Sequence, residues 1–182
     1  MSAALVVIDI QRDYFAGGRM PLDGADAAAE NAARLLKAFR ERGWPLFHVQ
    51  HLSTRPNATF FLPGTDGVEF HPAVAPLAAE PVIQKNFPNA FRATRLDTEL
   101  RARGVTQLVV AGMMTHMCID TSVRAAFDLG FKIDLAFDAC ATRSLRFVDT
   151  DVPASQVQGS FIAALHGTFA TARDTAHIVA AN

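Results

Sequence analysis

Short apolar runs alternate with stretches of helical periodicity from one end of the chain to the other. Ala4 to Ile8 (ALVVI) is apolar without interruption, the pattern of a strand buried on both faces. Between Asp26 and Arg42, Ala29, Ala32, Ala33, Leu35, Leu36 and Phe39 recur at helical spacing, and Gly43 follows. This predicts a helix ended by a left-handed glycine. The same reading predicts strands at Leu46 to Val49, Pro81 to Gln84, Gln107 to Ala111, Lys132 to Ala136 and Thr168 to Ala172. It predicts helices over Thr94 to Arg103, Ile119 to Leu129 and Ala154 to Leu165. Residues 52 to 80 are polar, rich in Pro and Gly, and follow neither period. A loop of that length is commonly functional.

Strands that are apolar on both faces and alternate with helices predict an α/β fold, a three-layer α-β-α sandwich around an open, mostly parallel sheet. In such sheets ligands bind beyond the carboxyl ends of the strands, where the strand order reverses. Three chemically capable side chains fall there. Asp9 follows the first strand, Lys85 the third, and Cys118 lies past the fourth on the first turn of a helix. A helix N-terminus favours thiolate over thiol, and its N–H groups can hold an oxyanion. Asp9 ends an apolar strand, where a lone carboxylate is too costly to bury. Each residue has an ordinary alternative: a core cysteine, a loop-anchoring aspartate, a surface lysine. Together they supply a nucleophile, a base to deprotonate it, and a cation that keeps the base ionised.

Composition narrows the ligand. At roughly 150 residues per domain, a chain of 182 residues predicts one domain spanning 1–182. Hydrophobic residues at 50% and charged residues at 19% exclude a disordered chain. The 17 basic and 18 acidic residues leave a net charge of -1 with no long run of either sign, so there is no electrostatic footprint for nucleic acid or an anionic membrane. A small-molecule substrate fits better. The opening apolar run meets Asp9, Gln11, Arg12 and Asp13 before a secretory signal could be completed. No window reaches the ~18 apolar residues of a membrane span. A soluble, cytoplasmic protein is expected. Cys118 and Cys140 could form at most one disulfide, so reduced thiols are the expectation.

The segments VVIDIQRDY, VIQKNFPNAF, GVTQLVVAGMMTHMCIDTSVRAAFDLGF and DACAT, in this order and separation, resemble the isochorismatase-like cysteine hydrolase superfamily, which includes nicotinamidases and related amidohydrolases. The resemblance spans nearly the whole chain. It implies a six-stranded parallel sheet, a triad of Asp9, Lys85 and Cys118, a cis peptide between Met113 and Met114, and an oxyanion hole made by the backbone amides of Met114 and Cys118. It also implies a homo-oligomer, a dimer or tetramer. Members that cleave a vinyl ether need the acidic residue but not the thiol, so Cys118 favours attack on an amide carbonyl and a thioester intermediate.

The nicotinamidase branch carries an Asp-x-His and a later His as metal ligands, whereas this chain reads His48-Val49-Gln50-His51 with His71 further on. The carboxylate is missing, and no metal or other cofactor is expected. Histidines at a strand end serve more often as hydrogen-bonded structural groups or pocket walls. Phe15, Phe60, Phe61, Phe87 and Phe91 lie on loops near the predicted rim. Phe15 and Phe87, beside Asp9 and Lys85 in sequence, are the preferred substrate contacts, with His116 facing either the ligand or a subunit contact. Three alternatives share the fold: a vinyl-ether hydrolase, a non-catalytic protein, and a redox thiol protein using Cys118 with Cys140. A nucleotide-binding module is disfavoured, because no G-x-G-x-x-G follows the first strand and no phosphate-binding G-x-x-x-x-G-K-[ST] loop occurs.

Overall fold

The computed structural model describes residues 2–181. Its centre is β1 (Ser2–Ile8), whose alternate side chains serve two cores. Leu5 and Val7 pack into one, and Ala4, Val6 and Ile8 into the other. The uninterrupted apolar run thus reflects burial on both faces. Around β1 lie β2 (Leu46–His51), β3 (Val82–Lys85), β4 (Val105–Met113), β5 (Lys132–Ala141) and a late strand, β8 (Thr171–Arg173), in the order β3-β2-β1-β4-β5-β8. Every pairing is parallel. The expected six-stranded parallel sheet is therefore present.

Helices cover both faces. α1 (Ala25–Glu41) and α5 (Thr175–Ala181) pack into the core that holds Leu5. α2 (Leu96–Ala102), α3 (Asp120–Asp128) and α4 (Ala154–Leu165) contribute to the opposite core. No helix among the described residues is long and apolar enough to cross a membrane.

The last strand of the sheet starts at Thr171 rather than Thr168, and the structure departs from the sequence pattern in four further places. β5 runs to Ala141 rather than ending near Ala136, because a register shift between Val110 and Gly112 lets Cys140 and Ala141 pair with Gly112 and Met113. A hairpin of β6 (Leu145–Phe147) and β7 (Thr150–Val152) was not anticipated, since arms this short show no period. The seven-residue α5 is likewise too short for a periodic signal. The predicted helix at Ile119 begins instead at Asp120 and is preceded by a π-helical turn over Thr115–Ile119.

The strand order reverses between β1 and β4, and the two backbones approach closely there. A Cβ at Gly112, where φ is 138°, would sit 2.0 Å from the Ile8 carbonyl oxygen. Gly112→Ala is expected to destabilise the fold by about 3 kcal/mol or more, because the clash is with backbone and the φ is unfavourable for any L side chain. A urea midpoint unchanged from the parent would contradict this close-approach role.

Candidate active site

Four strand ends converge at the reversal point. Asp9 follows β1 with φ 54°, a left-handed conformation uncommon for a non-glycine residue. Its amide donates to the Val49 carbonyl at 3.0 Å, so the turn is tied to β2. His51 closes β2 and stands in register with Lys85, which closes β3. β4 passes through a cis peptide between Met113 and Met114 into the π-helical turn that carries Cys118. Gln11 locks the assembly from behind. Its side-chain amide donates to the His51 and Val68 carbonyls at 3.0 and 2.8 Å, and its oxygen accepts from the His51 amide at 2.8 Å.

The Lys85 ammonium occupies the centre of this arrangement. Nζ lies 2.7 Å from Asp9 Oδ2, 2.8 Å from His51 Nδ1 and 3.2 Å from Cys118 Sγ. An ammonium has three hydrogens and no lone pair, so His51 Nδ1 must be the acceptor and the ring proton sits on Nε2. Burial, followed by the Lys85 charge, lowers the His51 pKa to about 4. The imidazole is therefore neutral at physiological pH. Burial by itself would lower the Lys85 pKa, but the Asp9 carboxylate and the Cys118 sulfur outweigh it and the net shift is upward. Among the described residues Asp9 Oδ1 has no hydrogen-bond donor. Lys85 meets Oδ2 as an ion partner, and the carboxylate keeps lone pairs available for a proton.

The thiol overturns one expectation. Burial first, and then the nearby Asp9 charge, push the Cys118 pKa well up, and Lys85 only partly offsets them. The resting group is a thiol. The sulfur does sit on the first helical turn, since the π-helical turn over Thr115–Ile119 runs directly into α3, but its burial and the Asp9 charge outweigh any help from the helix terminus.

A cavity of about 250 Å³ reaches Cys118 and is walled by Tyr14, His51, Phe60, Phe61, Met114 and Met117, among others. Phe15, Phe87 and His116 lie outside its lining. Phe15 is buried and stacks on His71 with ring centroids 4.0 Å apart. Phe87 stacks under the Arg92 guanidinium at 3.8 Å. His116 Nδ1 contacts Thr142 Oγ1 at 2.5 Å. Tyr14 and the loop that carries Phe60 and Phe61 supply the aromatic wall instead. The signals for Tyr14 in the sequence were its place after the first strand and its position at the end of the VVIDIQRDY segment.

The remaining candidates disperse. His48 Nε2 pairs with Glu80 Oε2 at 2.9 Å, and the Ala73 amide donates to His71 Nδ1 at 3.3 Å. Among the described residues, the group of three potential metal ligands is Asp9, His51 and Cys118, whose ligating atoms lie within 4.8 Å of one another. The Lys85 ammonium contacts all three and already supplies the positive charge they share. Cys140 is a free, buried thiol that donates to the Ala136 carbonyl at 3.4 Å. Burial pushes its pKa up to about 12.

A family model described as the isochorismatase domain matches residues 3–162. An uncharacterized isochorismatase family protein of Bacillus subtilis, YddQ, is 50% identical over 175 residues, covering 96% of this chain and 97% of that protein. Nicotinamidase 3 of Arabidopsis thaliana is 30% identical over 152 residues, covering 77% and 73% respectively. A crystal structure of an isochorismatase-hydrolase candidate from Oleispira antarctica superposes with a TM-score of 0.94 at 45% identity, covering 98% of this chain and 96% of that one.

The electrostatics of the sulfur generate a signed prediction. At neutral pH iodoacetamide should alkylate Cys118 more slowly than it alkylates glutathione. Asp9→Asn should accelerate the reaction severalfold, because it removes the charge that opposes thiolate formation and leaves the Lys85 cation. Peptide mass spectrometry over a time course reads both rates, and a slower reaction in Asp9→Asn would refute the assignment.

Proposed function

The chain belongs to the isochorismatase family of hydrolases, and on that premise we propose that it cleaves a C–N amide bond of a small molecule through a thioester on Cys118. One observation carries the reading: a single buried ammonium contacts both the Asp9 carboxylate and the Cys118 sulfur, at 2.7 and 3.2 Å, and that sulfur lines a cavity sized for a small ligand. Such a cation holds the base ionised and stabilises negative charge that develops on sulfur. The resemblance to a nicotinamidase is consistent with an amide substrate.

In the proposed cycle Asp9 takes the Cys118 proton as Sγ attacks the carbonyl carbon. The raised thiol pKa means that the proton leaves as the S–C bond forms, rather than beforehand. The backbone amides of Met114 and Cys118 receive the oxyanion. The C–N bond then breaks as Asp9 returns the proton to the leaving amine, giving a thioester. Water next attacks the thioester, with Asp9 as base, and releases the carboxylic acid and the thiol. Lys85 stays charged throughout as a positioning residue. Tyr14, Phe60, Phe61 and Met117 replace Phe15 and Phe87 as the proposed apolar wall. The neutral His51 Nε2–H is a donor on that wall.

A panel of small primary and secondary amides, with released ammonia or amine as the readout, tests the reading. Cys118→Ala is expected to reduce kcat at least about a thousandfold, and Asp9→Asn by a comparable factor, despite the faster alkylation of the second variant. Full amide turnover in Cys118→Ala would refute the thioester, and cleavage of added isochorismate by Cys118→Ala but not by Asp9→Asn, with no amide turned over, would indicate the vinyl-ether chemistry that needs no thiol. The proposal retains a homo-oligomer, and light scattering that shows a monomer at working concentration would remove that part.

A further inference from the structure

Building on the amidase reading, we propose that the substrate carries a carboxylate and that Arg55, at the mouth of the cavity, is the specificity-determining residue that binds it. The inference starts from the loop between β2 and β3. Its 53–61 segment leaves and returns at one neck, where the Ser53 amide donates to the Phe61 carbonyl at 2.8 Å. The neck is anchored to buried Asp13, whose Oδ2 accepts from the Phe61 amide at 2.6 Å. At the tip, Arg55-Pro56-Asn57-Ala58 forms a turn in which the Ala58 amide donates to the Arg55 carbonyl at 3.2 Å. Pro56 presets the first central position, and Asn57, at φ 63°, fills the left-handed second one. This is the residue pattern of a type II turn. The Arg55 backbone is thereby held in place at the cavity, and most of the cavity lining comes from this one segment.

Charge supplies the second half. Arg55 lines the cavity, and among the described residues no carboxylate pairs with its guanidinium. No aspartate or glutamate lines the cavity either. Asp9 lies buried beneath it and is already matched by Lys85. The mouth therefore presents one uncompensated cation above apolar walls, and its positive charge is felt at His51. A guanidinium is planar and presents paired N–H groups, a geometry suited to a carboxylate. The ligand that satisfies both ends is a short amide with its scissile carbonyl at Cys118 and an anionic carboxylate at Arg55. A cavity of about 250 Å³ leaves room for little between them.

Two alkylating reagents of equal length test this without knowledge of the substrate: N-chloroacetylglycine, which is anionic, and N-chloroacetylglycinamide, which is neutral. In each, the Cys118 sulfur displaces chloride from the CH₂ carbon, an S–C bond replaces the C–Cl bond, and the thiol proton passes to Asp9. Rates at Cys118 are read by peptide mass spectrometry and referred to glutathione. The anionic-to-neutral rate ratio at Cys118 is expected to exceed that of glutathione about tenfold, and to fall toward the glutathione value in Arg55→Gln or as salt is raised. Arg55→Lys should retain part of the preference. A ratio equal to that of glutathione, or one insensitive to Arg55→Gln, overturns the carboxylate assignment while leaving Cys118 as nucleophile. Failure of both reagents under conditions in which iodoacetamide modifies Cys118 overturns the ligand assignment, whereas full amide turnover in Cys118→Ala overturns the nucleophile, and with it the amidase reading.

Discussion

A fully charged ammonium sealed from solvent constrains everything around it. Lys85 is 1% exposed, and an isolated ion at such a position would lose its proton or force the structure open. It stays charged because three acceptors from three other strand ends, Asp9, His51 and Cys118, surround it. Breaking a buried ion pair of this kind by removing one partner typically costs about 3–5 kcal/mol, since the survivor is left uncompensated. The surrounding fold therefore has to deliver all three acceptors at once. Gly112 permits β4 to lie against β1, the left-handed turn at Asp9 aims its carboxylate, and Gln11 joins the exits of β1 and β2.

The same ammonium sorts the protons. By occupying His51 Nδ1 it fixes the tautomer and helps keep the ring neutral. It also contacts Asp9 at 2.7 Å, beside a thiol that burial keeps protonated. The resting state consequently has a free base and a loaded acid side by side, the complementary pairing that one proton transfer can discharge. A thiolate formed in advance would instead face the Asp9 charge with no carbonyl to stabilise it. On the proposed cycle the nucleophile would form on demand, beside a side-chain cation that contacts all three of the potential metal ligands that converge here.

How much of this was legible in the sequence depends on the range of the interaction. The sheet was readable because β1 and β4 are buried on both faces and their apolar runs say so locally. Asp9 and Lys85 were readable as polar residues ending apolar strands, and Cys118 through the segments that resemble a known superfamily. The orientations of Phe15, Phe87 and His116 were not, because proximity along the chain to Asp9, Lys85 or Cys118 does not determine which side of the rim a ring occupies. Phe15 turns toward His71, whereas Tyr14, one residue earlier, meets Phe61 with centroids 4.6 Å apart. The contact between His51 and Lys85 arises from the register of β2 with β3, a pairing that no local period encodes.

The irregular stretch between β2 and β3 shows why lack of periodicity is not lack of order. Its backbone is held by buried side chains rather than by a ladder. Gln11 and Gln50 both donate to the Val68 carbonyl, Asp13 accepts from the Arg19 and Phe61 amides, and Glu80 accepts from Arg40, from the Leu77 amide and from the Nε2–H of neutral His48. Such side-chain anchors, with a single antiparallel bridge between Gln11 and Phe70, satisfy backbone groups that would otherwise be stranded. They separate two demands on the molecule: the triad is set by strand ends and sheet register, whereas the cavity wall is set by a loop pinned at a few points. Substitutions at the loop tip can therefore reshape the cavity wall without disturbing the buried ammonium, because the two are held by separate sets of contacts.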